Sequence, residues 1–215
     1  MDNQFSRRKF IGTSAVTLGM ALSRKSAGQN TAQHEKSIRI GVVGTGGRGT
    51  GLLRTMQHFE GLEFPALCDI NNDNLARAQD VVVKAGHPKP EGYWKGDYAY
   101  EKLMERDDLD AVIIATPWQL HTPMAVCGMK NGKYVGIEVP AAITLEQCWD
   151  LVNTHEETGV PCMMLENWSF RRDNLAILNM IRQGLLGEMV HCHCAHSHDC
   201  IDHWFFDREE GMDRW

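Results

Sequence analysis

The sequence predicts an α/β fold, with a doubly wound parallel sheet followed by the start of an α+β second domain. Two observations lead to this prediction. Short apolar runs alternate with helical stretches from residue 38 to residue 165, and a glycine-rich turn follows the first of these runs. The alternation stops at residue 166. We therefore divide the chain into a leader (1–30), an α/β domain (31–165) and the opening of a second domain (166–215).

The first apolar run and its turn occupy residues 38–49, IRIGVVGTGGRG. The glycines fall at Gly44, Gly46 and Gly49, and this spacing has a mechanical reason. The first glycine allows a tight turn, the second lets the backbone approach a pyrophosphate, and the third lets the following helix pack on the strand. The N–H groups and the dipole at the helix start would hold the phosphates. The stretch thus predicts a dinucleotide-binding unit of the Rossmann type.

The second apolar run, residues 64–69, ends in Asp69, twenty residues past Gly49. A Rossmann unit has an acid near this distance that accepts hydrogen bonds from the adenosine ribose. A carboxylate there also repels a 2′-phosphate, so we expect NAD rather than NADP. The other interpretation of Asp69 is a surface acid that ends an ordinary strand.

The remaining elements of the α/β region follow in alternation. The Pro and Gly content of residues 86–94 predicts a loop, and Asn71 or Asn72 is a suitable N-cap for the second predicted helix, 72–85. We expect helices at 50–59, 72–85, 100–106, from just after His121 to about 131, and at 145–158, strands at 109–115, 134–138 and 161–165, and a loop at 86–94.

Chemically distinctive side chains collect just past the predicted strand ends, where ligands bind in such sheets. Singly, each has another interpretation: Trp118 as packing, His121 as a helix cap, Glu138 as a solvated strand end. Together they predict a site at the carboxyl edge of the sheet, formed by Asp69, Trp118, His121, Glu138, Glu166 and Asn167.

Composition limits the class of protein. The 215 residues are 43% hydrophobic and 23% charged, and the formal net charge is −6, which is typical of a globular protein. No cluster of Lys and Arg follows residue 25, so we expect no nucleic-acid partner. No run of eighteen apolar residues occurs, so we expect no membrane-spanning helix.

The first thirty residues form a separate segment. The run SRRKFIG (6–12), followed by mildly apolar residues, is typical of a twin-arginine export signal. Ala27 is a possible cleavage point, although its context departs from A-x-A. We therefore expect export to the periplasm or the outside of the cell, with a basic N-terminus of no targeting role as the alternative.

The pattern changes after residue 166. Residues 172–183 predict an amphipathic helix, Gly184 and Gly187 end it, and residues 189–198 predict an extended strand. We interpret these elements as the opening of an α+β domain.

The seven cysteines form no spaced disulfide framework. Cys192 and Cys194 lie among several histidines, and alternation on a strand would let an i, i+2 pair share a Zn²⁺ ion. The spacing matches no established zinc finger, so we expect no metal and keep a metal-binding module as an alternative.

Four motifs occur in an informative order: the glycine turn, the second strand with its terminal acid, Ala115-Thr-Pro-x-x-x-His121, and Glu138-x-Pro140. They resemble the family of NAD(P)-dependent sugar oxidoreductases that includes glucose-fructose oxidoreductase, inositol dehydrogenase and MocA. Dehydrogenases of that family usually have Glu-Lys-Pro in the last motif, with the lysine near the reacting carbon. This chain has Val139 there, which disfavours a simple dehydrogenase.

A subgroup matches more closely. Trp118-x-x-His121-Thr-Pro-Met-Ala, Glu138-Val-Pro-Ala-Ala, Met163-Met-Leu-Glu-Asn167 and Arg171-Arg-Asp173 are similar to the NAD-dependent α-N-acetylgalactosaminidases of glycoside hydrolase family 109. Members of that family continue well beyond the Arg-Trp that Arg214 and Trp215 resemble. We therefore expect this chain to be a fragment or a natural truncation.

The resemblance implies which residues bind the cofactor. Gly47 and Arg48 would contact its phosphates, Asp69 its ribose, and the later residues the nicotinamide half. His196 stands where the family has a substrate-contacting tyrosine, which leaves the substrate preference open. The implied cofactor residues are Gly44, Gly46, Gly47, Arg48, Gly49, Asp69, Trp118, Gln119, Leu120, His121, Glu138, Val139 and Asn167.

The chemistry that the resemblance implies is redox-assisted glycoside cleavage. The sugar is oxidised at C3, its C2 proton is removed, the C1 leaving group departs, water adds, and the hydride returns from the cofactor. Glu166 is our candidate for a catalytic acid or base because it lies at a strand end beside Asn167. The alternative for Glu166 is a charged strand cap that contacts only water.

Two other functions stay open at this point. One is an exported NAD-dependent sugar dehydrogenase with net turnover, and the other is an NAD-binding fragment without catalysis. In each case the expected ligand is NAD. The expected partner is a small sugar or glycoside, and a second copy could associate through the second-domain sheet of a full-length protein.

Overall fold

The computed structural model describes residues 37–195 and residue 197. Six parallel strands form one sheet in the order β3-β2-β1-β4-β5-β6. The strands are β1 (Ile38–Val43), β2 (Leu62–Cys68), β3 (Glu91–Tyr93), β4 (Ala111–Ile114), β5 (Tyr134–Ile137) and β6 (Cys162–Met164). The helices are α1 (Gly47–Met56), α2 (Asn72–Lys84), α3 (Ala99–Met104), α4 (Trp118–Lys130), α5 (Leu145–Thr158) and α6 (Arg172–Arg182), with a 3₁₀ turn at Trp168–Phe170.

Helices cover both faces of the central strands, which explains why these strands are nearly continuous apolar runs. On one face Leu53 of α1 and Leu75 of α2 pack against Val42 and Leu67 of the sheet. The other face contacts α3 and α4 through a second apolar cluster that includes Leu103. The doubly wound parallel sheet predicted from the sequence is therefore confirmed.

The prediction of a loop over residues 86–94 is wrong for its last part. Residues 91–93 form β3 and pair with β2, with Ala66 opposite Glu91 and Cys68 opposite Tyr93. The short sequence EGY has no run of β-branched or apolar residues, so its pattern gives little signal for a strand. The strand forms because β2 offers an open edge. Gly92 fits closely beside α2, where an added Cβ would lie 3.0 Å from Leu75 Cδ2.

The helix boundaries differ from the predicted ones mainly at α1 and α4. Helix α1 begins at Gly47 rather than residue 50 and ends at Met56 rather than residue 59, and α4 begins at Trp118 rather than after His121. Local glycine content disfavours a helix at the start of α1, yet the turn geometry overrides it. The N-cap prediction at Asn71 is confirmed, since its side chain accepts hydrogen bonds from the N–H groups of Asp73 and Asn74.

The strand predicted at 189–198 is wrong for the described residues, because residues 189–195 and 197 have no strand assignment. Alternation of side chains is a local property, whereas a strand also requires a hydrogen-bonded neighbour. No described strand lies beside this segment. The helix predicted just before it is confirmed as α6.

Within the described part of the chain, no helix is both long enough and apolar enough to span a membrane.

Candidate functional site

The glycine turn joins β1 to α1 at the carboxyl edge of the sheet. Gly44 has a φ of +84°, and a Cβ at this position would lie 2.6 Å from the carbonyl oxygen of Ala115. A Cβ on Gly49 would lie 1.8 Å from the carbonyl oxygen of Gly44. Both positions therefore exclude larger side chains, the first for the turn and the second for the approach of α1 to β1.

The other two glycines face open space. A Cβ on Gly47 would meet no atom within 4 Å, and one on Gly46 would come no nearer than 3.9 Å to Asn74 Nδ2. The first N–H groups of a helix have no partner within it, and the first turn of α1 carries no acidic residue. This end of α1 can therefore accept an anionic group such as a phosphate.

Asp69 follows β2 and reaches back to the glycine turn. Its Oδ2 accepts hydrogen bonds from the backbone N–H of Thr45 at 2.6 Å and from Thr45 Oγ1 at 3.1 Å, and its Oδ1 accepts one from the N–H of Asn71 at 2.8 Å. Thr45 is fully buried, and its carbonyl oxygen accepts a hydrogen bond from Thr50 Oγ1. Asp69 thus braces the turn. This structural role was not predicted from the sequence, although a threonine between the two glycines was a signal for it.

Cys68, which precedes Asp69, is the buried last residue of β2. Burial, and secondarily the neighbouring Asp69 carboxylate, raise the pKa of the Cys68 thiol to about 12. The thiol therefore stays protonated at neutral pH and is not a nucleophile.

Arg48 and Glu138 form an ion pair that joins α1 to the end of β5. Arg48 Nε and Nη2 lie 2.7 and 2.6 Å from Glu138 Oε1, and the side chains are 50% and 9% exposed. Glu138 Oε2 also accepts a long hydrogen bond from the N–H of Val139. The pair brings together two predicted site residues that are 90 positions apart in the sequence. Spacing alone gives no indication of this contact.

His121 is 1% exposed in the first turns of α4. Its Nδ1 lies 2.7 Å from the carbonyl oxygen of Pro140 and its Nε2 lies 2.8 Å from the carbonyl oxygen of Thr116. The next side chain, Thr122, donates from Oγ1 to the carbonyl oxygen of Ala141 at 2.9 Å. Two adjacent residues of α4 therefore hold the loop after β5, which includes a cis Val139–Pro140 bond.

The remaining predicted residues lie along the same edge. Trp118, Gln119 and Leu120 form the exposed first turn of α4, separated from the end of β4 by three residues. Glu166 and exposed Asn167 follow β6, which is the neighbour of β5. Glu166 Oε1 accepts a hydrogen bond from the N–H of Trp168 at 2.8 Å.

The predicted substrate residue His196 lies outside the described residues. Among the residues that the structure describes, no group of three or more His, Cys, Asp or Glu side chains could hold a metal ion.

The chain's own residues fit a dinucleotide. Gly46 and Gly47 leave room for it, the start of α1 favours its phosphates, Arg48 carries a positive charge at the same end, and Asp69 lies at the end of the second strand. The strand order is that of a Rossmann fold, and its glycine turn lies where such folds hold the pyrophosphate. Fold and site together define a dinucleotide-binding domain.

Comparison with known proteins identifies the family. Residues 38–166 match the model described as an oxidoreductase family with an NAD-binding Rossmann fold, and residues 170–213 match the C-terminal domain of glycosyl hydrolase 109. An α-N-acetylgalactosaminidase from Bacteroides fragilis is 45% identical over 174 residues, which cover 81% of this chain and 41% of that protein. A glycosyl hydrolase family 109 protein from Shewanella woodyi is 44% identical over 163 residues, which cover 76% of this chain and 35% of that protein.

A solved structure shows the same fold. The WlbA dehydrogenase from Bordetella pertussis, in complex with NADH and UDP-GlcNAcA, matches with a TM-score of 0.61 at 24% identity, over 70% of this chain and 43% of that one. The chain belongs to the Gfo/Idh/MocA oxidoreductase family, whose Rossmann domain binds NAD. The expected resemblance and the expected cofactor are thereby confirmed. The chain spans less than half the length of the curated relatives that it matches.

Proposed function

We propose that the protein is an NAD-dependent glycosidase that cleaves α-N-acetylgalactosaminides. The observation that carries this proposal is the 45% identity to the Bacteroides fragilis α-N-acetylgalactosaminidase over 174 residues. The valine of Glu138-Val139-Pro140 adds support, because dehydrogenases of this family usually have a lysine there. NAD supplies a hydride acceptor when bound, so the sugar is oxidised at C3 and reduced again within one turnover.

The chain's own residues take the following roles in this proposal. Gly46, Gly47 and Arg48 hold the phosphates at the start of α1, and Asp69 meets the adenosine ribose. Trp118, Gln119, Leu120, Glu138, Val139 and Asn167 border the nicotinamide half. These groups orient the cofactor and so fix where the C3 hydrogen of the sugar must lie.

Glu166 is the proposed acid or base. Its carboxylate accepts one local hydrogen bond from the N–H of Trp168, and a carboxylate has about four lone-pair positions. The group therefore retains the capacity to accept a proton from C2 of the sugar. His196 is proposed to contact the substrate in the place of the family's tyrosine.

The test uses the protein expressed from its natural gene. p-Nitrophenyl α-N-acetylgalactosaminide is added with NAD⁺, and nitrophenol and the nicotinamide absorbance are followed together. We expect nitrophenol without net NADH, and we expect Glu166→Gln to lower the rate by about 10²-fold or more. NADH produced in proportion to substrate would contradict the hydrolase and favour the second candidate, an NAD-dependent sugar dehydrogenase.

We also propose export by the twin-arginine route, supported by the sequence SRRKFIG at residues 6–12. The change Arg7→Lys with Arg8→Lys should abolish the appearance of the protein in the periplasm. Lys9→Arg is the matched control, because it keeps both arginines. Periplasmic protein from the double variant at the level of the unchanged one would contradict export by this route.

A further inference from the structure

The His121 side chain lacks the exposure and the free ring nitrogen expected of a residue that contacts a bound cofactor. The side chain is 1% exposed, and both ring nitrogens lie within 2.8 Å of backbone carbonyl oxygens, those of Pro140 and Thr116. A neutral imidazole donates one of these two hydrogen bonds and an imidazolium donates both. In either form the ring connects the loop after β4 to the loop after β5.

Thr122 strengthens the same connection. Its side chain is buried, and its hydroxyl donates to the carbonyl oxygen of Ala141, the residue after Pro140. Two consecutive side chains of α4 therefore bind two consecutive carbonyl groups of the loop after β5. Buried carbonyl groups that lose their donors are costly, so this loop is held in one conformation by α4.

The loop carries Glu138, which is two residues before Pro140. The Glu138 carboxylate is nearly buried and holds the Arg48 guanidinium through Nε and Nη2. Arg48 belongs to the first turn of α1, where the open backbone at Gly46 and Gly47 favours phosphate binding. Contacts thus run from His121 and Thr122 through the loop to Glu138, and from Glu138 to Arg48.

We propose that His121 and Thr122 are positioning residues of the cofactor site, which fix the loop after β5 and so keep Glu138 and Arg48 in place for the pyrophosphate. His121 acts through Glu138 and Arg48 and does not touch the nicotinamide. The inference concerns cofactor binding and is independent of the proposed glycosidase reaction.

The test compares two ligands. NAD⁺ and ADP-ribose share the pyrophosphate, but only NAD⁺ carries nicotinamide. His121→Gln should weaken binding of both ligands by a similar factor of about tenfold, measured by calorimetry well below the melting temperature, as expected for the loss of about one hydrogen bond. Thr122→Val should do the same, while Thr122→Ser, which keeps the hydroxyl, should restore binding. The Thr122 pair decides the question if His121→Gln does not fold.

A double variant adds a second readout. In the Glu138→Gln background, His121→Gln should weaken ligand binding by about twofold or less, because both side chains act on Arg48 through the same series of contacts. His155→Gln is the matched control, since His155 Nδ1 also bonds a backbone carbonyl, that of Val160 at 2.8 Å, but at the end of α5. We expect no change in affinity for this variant.

Three results would overturn the proposal. Weakened binding of NAD⁺ alone would mean that His121 acts on the nicotinamide half of the site and not on the pyrophosphate. Equal effects of His121→Gln with and without the Glu138 substitution would mean that the two residues act independently. Unchanged affinity for both ligands in a folded His121 or Thr122 variant would mean that the bonds serve stability alone.

Discussion

Apolar side chains of residues 38–166 form a buried core, whereas those of residues 167–195 are exposed. In the first region Val42, Leu53 and Val112 are fully buried between sheet and helices. In the second region every residue is exposed, although α6 is as clearly amphipathic as the helices before it. Leu175 and Ile177 of α6 are 45% and 51% exposed. A local pattern can therefore specify a helix without providing the surface that the helix needs to pack against.

A pair of leucine substitutions tests this difference and should give the largest effect. Leu53→Ala removes a fully buried side chain between α1 and the sheet, so we expect the free energy of unfolding to fall by about 3 kcal/mol. Leu178→Ala on α6, where the side chain is 40% exposed, should change it by about 0.5 kcal/mol or less. Urea unfolding monitored by circular dichroism measures both. Equal losses would show that the two regions are packed alike.

The next prediction concerns the glycine turn. Gly49→Ala would place a Cβ 1.8 Å from the carbonyl oxygen of Gly44, so we expect a loss of about 1–3 kcal/mol in stability together with weaker NAD⁺ binding. Gly51→Ala is the control in the same helix, because its Cβ would meet no atom within 4 Å. It should stabilise the protein by about 0.5–1 kcal/mol. A Gly49→Ala protein of normal stability and affinity would contradict the close approach of α1 to β1.

A smaller effect is expected where Asp69 braces the turn. Thr45→Val removes the hydroxyl that donates to Asp69 Oδ2 at 3.1 Å but keeps the backbone N–H bond at 2.6 Å. The variant should lose about 1 kcal/mol in the free energy of unfolding, the usual value for one hydrogen bond. Thr45→Ser is the control and should lose less, because its hydroxyl can still donate. A greater loss for serine than for valine would assign the role of Thr45 to packing of its methyl group.

The smallest effect concerns the opposite edge of the sheet. A side-chain hydrogen bond from Arg106, and secondarily one from Arg39, lower the pKa of Asp108 to about 2. The folded pKa is below the unfolded value of about 3.9, so the interaction stabilises the fold above pH 4 and is lost as the pH falls toward 2. Because Asp108 is 40% exposed, Asp108→Asn should cost only about 0.5 kcal/mol at pH 7. The difference from the unchanged protein should vanish near pH 2, and an unchanged or larger difference there would contradict the assignment.

Much of the fold follows from local sequence. Gly44, Gly46, Gly49 and Asp69 were recognisable because their spacing is set by the geometry of one turn and two neighbouring strands. The short strand β3 was not recognisable, because it depends on the open edge of β2 and not on its own residues. The contact between Arg48 and Glu138 was also hidden, since it joins residues 90 positions apart.

Several predictions from the sequence stay as predictions. They include the boundary at residue 166, the cofactor and substrate roles of individual residues, the export signal, and association of full-length copies through the second domain.

The measurement that tests the proposed function most directly is an isotope experiment with the protein from its natural gene. The unlabelled glycoside is cleaved in D₂O with NAD⁺ present, and the released N-acetylgalactosamine is examined by NMR. Oxidation at C3 makes the C2 proton removable, so we predict deuterium at C2 of the product and no accumulation of NADH. A product with full retention of the C2 proton would contradict the account, because direct displacement at C1 leaves that proton in place.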